Sequence, residues 1–209
     1  MKGKNTKIFL GISIAAILAI SVVSVSALPE AFAKNDFAGK PDFVAVIDTP
    51  ADPDHYNGEK GLALFWVDAA NIDDPNMRIA YKIALQKFDV GDIAGDQTGQ
   101  DKNKGKGLAH YLWKLHLHPA PGGAHDATQH YFNIVGPTDD DDLKISGHSI
   151  KGIWDNNDWQ DLPNDLHESN DPVDVIDEMC SSDMDINVHS EVHDVQIRGQ
   201  IIPTSGFCG

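Results

Sequence analysis

The residues best suited to chemistry lie near the middle of the chain, in Leu112-Trp113-Lys114-Leu115-His116-Leu117-His118. The run alternates, and a period of two is the mark of a strand. Trp113, Leu115 and Leu117 fall on one face, His116 and His118 on the other. Two imidazoles at i and i+2 of a strand point the same way, about 7 Å apart at their Cα atoms. Neutral imidazole is a common protein ligand for metal ions, and such a pair can close on one ion. The same pair on an edge strand can equally decorate a solvated face, so the surrounding elements have to decide.

The chain of 209 residues opens on a basic head containing Lys2, Lys4 and Lys7. An apolar run from Ile8 to Leu28 follows, and then Ala31-Phe32-Ala33, a small-x-small cleavage pattern. This is the layout of a secretory signal peptide over residues 1–33. The run also has the length of about 20 residues that a bilayer-spanning anchor needs, so an uncleaved segment is the one route to a membrane. Residues 34–209 are enough for a single domain with its own core. The full chain carries a net charge of −16, and removing residues 1–33 makes it two charges more negative. Such acidity excludes nucleic acid as a partner and suits cations or cell-surface and extracellular proteins. Two cysteines, Cys180 and Cys208, form an even set in an exported chain, and a disulfide is expected.

Elements able to position the histidines can be read on either side. Gly61 to Val67 is an apolar run, and Met77 to Leu85 alternates, with turn-forming Asn71 to Asn76 between them. Together they predict an antiparallel hairpin. Residues 91–107 hold five glycines among polar residues and form a loop without a phosphate-binding pattern. Pro119-Ala120-Pro121-Gly122-Gly123 ends the histidine strand. The acidic run Asp139 to Asp142 reads as a solvated loop tip. Asp171-Pro172-Val173 is a helix start, with Val173, Ile176 and Cys180 on one face over about 172–181. Strands at Met184–His189 and Val195–Ile202 close the chain. Seven or eight short strands and one helix predict an all-β, antiparallel β-sandwich.

The His-x-His strand, Asn187-Val188-His189-Ser190 and Gln196-Ile197-Arg198-Gly199-Gln200 together resemble the CHRD domain, the chordin-type module of exported proteins. The likeness spans roughly residues 43–202 and implies a Greek-key sandwich of the immunoglobulin or superoxide-dismutase kind. It adds His189 to His116 and His118, and with His125, His130 and His193 within loop reach it gives a candidate site for copper or zinc. A fainter resemblance is to copper–zinc superoxide dismutase, through His116-Leu117-His118, His130-Tyr131-Phe132-Asn133 and His189. That enzyme's long cysteine-anchored zinc loop has no counterpart, since neither cysteine lies near Asp126.

Arg198 sits between apolar neighbours and is expected to pair with Asp185 or Asp194. No catalytic Ser/His/Asp order and no carboxylate dyad can be argued, so no catalytic residue is assigned. The sequence predicts an exported CHRD-type binding or structural module, at the cell surface or outside it, holding copper or zinc. A dismutase-like redox enzyme is the first alternative and a metal-free adhesion or matrix module the second.

Overall fold

A computed structural model describes residues 37–50, 56, 58–88, 112–123, 131–135, 140, 142–155, 158, 172–190, 197–204 and 206–209. The strands are β1 (Phe43–Ile47), β2 (Thr49–Pro50), β3 (Lys60–Asp68), β4 (Arg78–Gln86) and β5 (Leu112–Pro119). They continue with β6 (Asn133–Val135), β7 (Lys144–Ser146), β8 (Ser149–Trp154), β9 (Met184–Ser190) and β10 (Ile197–Pro203). One helix, α1 (Pro172–Cys180), precedes β9. All the described pairings are antiparallel. The order across the sheet is β6-β5-β9-β10-β1-β3-β4-β8-β7, with β2 paired to β10.

The fold is therefore all-β, but as one curled sheet, a half-barrel, where the sequence predicted two separate layers. Strand β10 makes the sheet continuous. Its first residues pair with β9, from Ile197 opposite Val188 to Gln200 opposite Asp185. Its last residues pair with β1, from Ala45 opposite Ile201 to Phe43 opposite Pro203. At the changeover Gly199 lies so close to the β1 backbone that a Cβ there would collide with the Val46 carbonyl. Glycine is the residue that permits such an approach.

The curl brings the two ends of the sheet together. Phe132, just before β6, stacks on Trp154 of β8 with ring centroids 4.3 Å apart. It also meets Tyr81 of β4 edge-on at 5.9 Å. Between these ends the core is built by alternate residues: Phe43, Ala45 and Ile47 of β1, Ile79, Tyr81 and Ile83 of β4, Leu115 and Leu117 of β5, and Ile186 and Val188 of β9. The hairpin of β3 and β4 matches the one predicted, in unbroken register from Lys60–Gln86 to Asp68–Arg78.

Helix α1 packs Val175, Ile176 and Met179 into the same core and ends in a motif that aims the chain straight into β9. Ser182 takes a left-handed conformation at φ 60°. Its N–H donates to the Met179 carbonyl at 3.2 Å, and that of Asp183 donates to the Glu178 carbonyl at 2.8 Å. These are the two bonds of a Schellman cap. The last helical residue, Cys180, is joined to Cys208 in the expected disulfide, with Cα atoms 5.5 Å apart and a sequence separation of 28. Closing such a loop is worth roughly 3–4 kcal/mol in the chain-entropy view.

One expectation is corrected. Among the described residues no helix is long and apolar enough to cross a membrane, and the membrane is not carried forward as a partner. Residues 1–33, carrying the predicted signal peptide, lie outside the described residues.

Candidate metal centre

The three histidines that the sequence brought forward meet on β5 and β9. Strand β5 runs beside β9 with His116 opposite Asn187, His118 opposite Asp185 and Lys114 opposite His189. His189 is thus the diagonal neighbour of His116 on one face, and diagonal pairs lie within reach of ring side chains. The register is held at its far end by the turn after β5, where the Gly122 N–H donates to the Asp183 carboxylate at 2.8 Å. Asp183 is the residue that the helix cap places immediately before β9.

His116 is central. Its ring lies edge-on to His118, with centroids 4.6 Å apart, and edge-on to His189 at 4.5 Å. The Nε2 atoms of His116 and His189 are 2.7 Å apart, close enough that one donates a proton to the other. The Nδ1 of His116 faces the Asn133 side-chain oxygen at 3.3 Å. If that nitrogen carries the proton, Nε2 of His116 is the atom turned to the cluster. All three rings are buried, at 1%, 2% and 4% exposure for His116, His118 and His189. The solvated-face reading of the pair is thereby removed.

The polar frame of the cluster escaped the sequence reading. Asp185, Asn187 and His189 alternate along β9, and all three are buried. The Asn187 amide donates to the Asp185 carboxylate at 2.9 Å, and Arg198 of β10 approaches the same carboxylate at 3.9 Å. This is one of the two pairings expected for Arg198. A polar residue at every second position of a strand is a legible signal, equal in kind to the alternation of β5. Asn133 had no such signal, because its place beside His116 depends on the β5–β6 pairing.

One ligand nitrogen from each of His116, His118 and His189 lies within 4.8 Å of the others. The donor set fits an ion of borderline softness such as Zn(II) or Cu(II). In tetrahedral coordination at about 2.05 Å, two nitrogens stand about 3.3 Å apart. His116 and His189 would therefore open by about 0.6 Å, exchanging their mutual hydrogen bond for two bonds to the ion. The remaining candidates, His125, His130 and His193, lie outside the described residues.

A second buried polar group was missed altogether. Asp140, expected at a solvated loop tip, is fully buried and accepts a hydrogen bond from the Tyr81 hydroxyl at 2.5 Å. It also receives the Asp142 N–H at 2.8 Å. A Cβ at Gly152 of β8 would collide with both partners. Burial first, then the charges of Asp158 and Asp142, raise the Asp140 carboxyl to about 9. Burial likewise raises the Tyr81 hydroxyl, with Asp140 adding to the effect. Asp140 is thus a buried carboxyl biased to its neutral form at pH 7, held against the Tyr81 hydroxyl.

No family model, curated protein or solved structure gives a significant match to the chain.

Proposed function

We propose that the chain is an exported CHRD-type β-domain that binds copper or zinc through His116, His118 and His189. The observation that carries the reading is the mutual approach of three buried imidazoles within 4.8 Å, held by Asn133 on one side and the β5–β9 register on the other. Burying polar rings is costly unless their nitrogens are satisfied, and a metal ion is one partner that all three can share. The Cys180–Cys208 disulfide and the signal-like head suit an oxidising compartment outside the cytoplasm. In this reading the two halves of the curled sheet are the layers of a Greek-key sandwich sharing β10. The domain then serves as a binding or structural module at the cell surface or outside it.

The test is metal content. Untagged protein should carry or take up close to one equivalent of copper or zinc. The variant His116→Ala/His118→Ala should lose more than about a hundredfold in affinity, since removing outer-shell partners alone costs 10–100-fold. Ligation requires neutral imidazole, so affinity should fall as pH drops from 7 to 5. Far less than one equivalent of metal in both proteins, or an affinity flat across that pH range, would overturn the proposal.

A further inference from the structure

The imidazoles of His116, His118 and His189 offer an ion nitrogen donors but no charge, because each ligates as a neutral ring. An ion among them keeps its whole charge between side chains that are 1–4% exposed. Charge taken out of water is costly unless an opposite charge stands near. The fold puts one there. Asp185 lies opposite His118, and residues directly opposite on antiparallel strands have Cβ atoms about 5 Å apart. Alternation along β9 sets it on the face of Asn187 and His189. Its carboxylate is held through both oxygens. The Asn187 amide donates to Oδ1 at 2.9 Å, and Nη1 of Arg198 lies 3.9 Å from Oδ2.

Cations share this face, with Lys114 opposite His189 and Arg198 opposite Asn187. Exposure separates them from the carboxylate. The Arg198 side chain is 33% exposed against 5% for Asp185, and Lys114 is half-buried. Water screens charges at the surface far more than charges below it. The field of the carboxylate therefore reaches the histidines less attenuated than that of either cation. The other buried acids among the described residues, Glu59, Asp140 and Asp158, lie outside β5 and β9.

We infer that Asp185, without ligating the ion, is the residue through which the centre favours a divalent over a monovalent ion. The inference rests on the proposed three-histidine metal centre. Coulomb attraction scales with the charge of the ion, so losing the carboxylate costs a dication twice the free energy it costs a monocation. In affinity, the loss for the dication is the square of the loss for the monocation. A purely structural role, such as aiming His118 or packing β9, would cost both ions alike.

Zn(II) and Cu(I) are the probes, because both have filled d shells and neither imposes a geometry of its own. Each is titrated into the full chain against a competing chelator, Cu(I) under argon with ascorbate. Asp185→Asn, close to the parent in shape, should lose about a hundredfold in Zn(II) affinity and about tenfold in Cu(I) affinity. Equal losses for the two ions would overturn the inference and leave the three-histidine centre standing. Should Asp185→Asn fail to fold, Arg198→Gln decides, since it keeps the carboxylate and removes the cation beside it. It should shift the ratio of Zn(II) to Cu(I) affinity in favour of zinc by about threefold, a small effect because the guanidinium is partly solvated. An unchanged ratio would then overturn the inference. A parent chain that binds neither ion would overturn the metal centre itself, and this inference with it.

Discussion

Strands β5 and β9 bury histidine, asparagine and aspartate on the face turned away from the core, whereas β10, β1 and β3 leave aliphatic residues on theirs. The two regions belong to one sheet and share β10, so their difference is not a difference of architecture. It shows that in this fold the inner face specifies the structure and the outer face is free to carry chemistry. On the inner face both regions read alike, as alternate Leu, Ile, Val and Phe. On the outer face one gathers polar side chains at 0–5% exposure. The other places an aliphatic track, Val44, Leu64 and Ile202, in one register row with Lys82, Lys151 and Lys144.

The comparison can be broken most directly at the strand that joins the two regions. Gly199→Ala should destabilise the domain by about 3 kcal/mol, because the new Cβ meets the Val46 backbone and overpacking at backbone has no cheap relaxation. A denaturant midpoint equal to that of the parent would show that the junction yields. The polar region is sharpened by metal. At a zinc concentration a hundredfold above its dissociation constant, stability should rise by about 2.7 kcal/mol. The gap between thermal melts of the parent and of His116→Ala/His118→Ala should widen when zinc is added.

Asp140 gives an effect with a distinctive sign, read as a slope against pH. Its folded value, about 9, stands above the ordinary 3.8, so the folded state holds a proton that the unfolded chain has released. The associated stability is complete below about pH 4 and is lost as pH rises toward 9, at no more than about 1.4 kcal/mol per unit. Asp140→Asn keeps a neutral partner for Tyr81 and should flatten that slope, as urea melts at pH 5, 6.5 and 8 would show. A parallel slope in both proteins would place the proton elsewhere. The smallest effect is expected at the aliphatic track. Ile202→Ser should change the melting free energy by no more than about 0.5 kcal/mol, in contrast to any change in the polar region.

Much of this was legible in the sequence for a local reason. The β3–β4 hairpin, α1, β9 and the His-x-His strand are each announced by periodicity within a dozen residues. The cysteine pair was expected from parity in a chain read as exported, and His189 from the resemblance of its segment to a motif of CHRD domains. What stayed hidden depends on register between distant strands. The burial of His116 and His118 requires β9 and β6 on either side of β5. Asp140 looked like one acid among four because nothing near it in sequence points to Tyr81. The lysine row exists only once β4, β8 and β7 are aligned, with Lys82 and Lys151 far apart along the chain. The curled sheet was likewise beyond reach, since it turns on Gly199 changing its neighbour from β9 to β1.

That changeover has a kinetic consequence. Strand β10 comes late in the sequence yet lies in the interior of the sheet, and its partner on one side, β1, is the first of the described strands. Phe43 must find Pro203 before the two halves become one surface. Such distant pairing raises contact order and slows folding, because loop closure must be met before contacts reward it. Until β10 arrives, β1 and β9 each present an open strand edge, the kind of surface that invites pairing with another chain. The Cys180–Cys208 bond ties α1 to the segment just after β10. Formed early, it would keep the closing strand near its place and shorten the time those edges stand open.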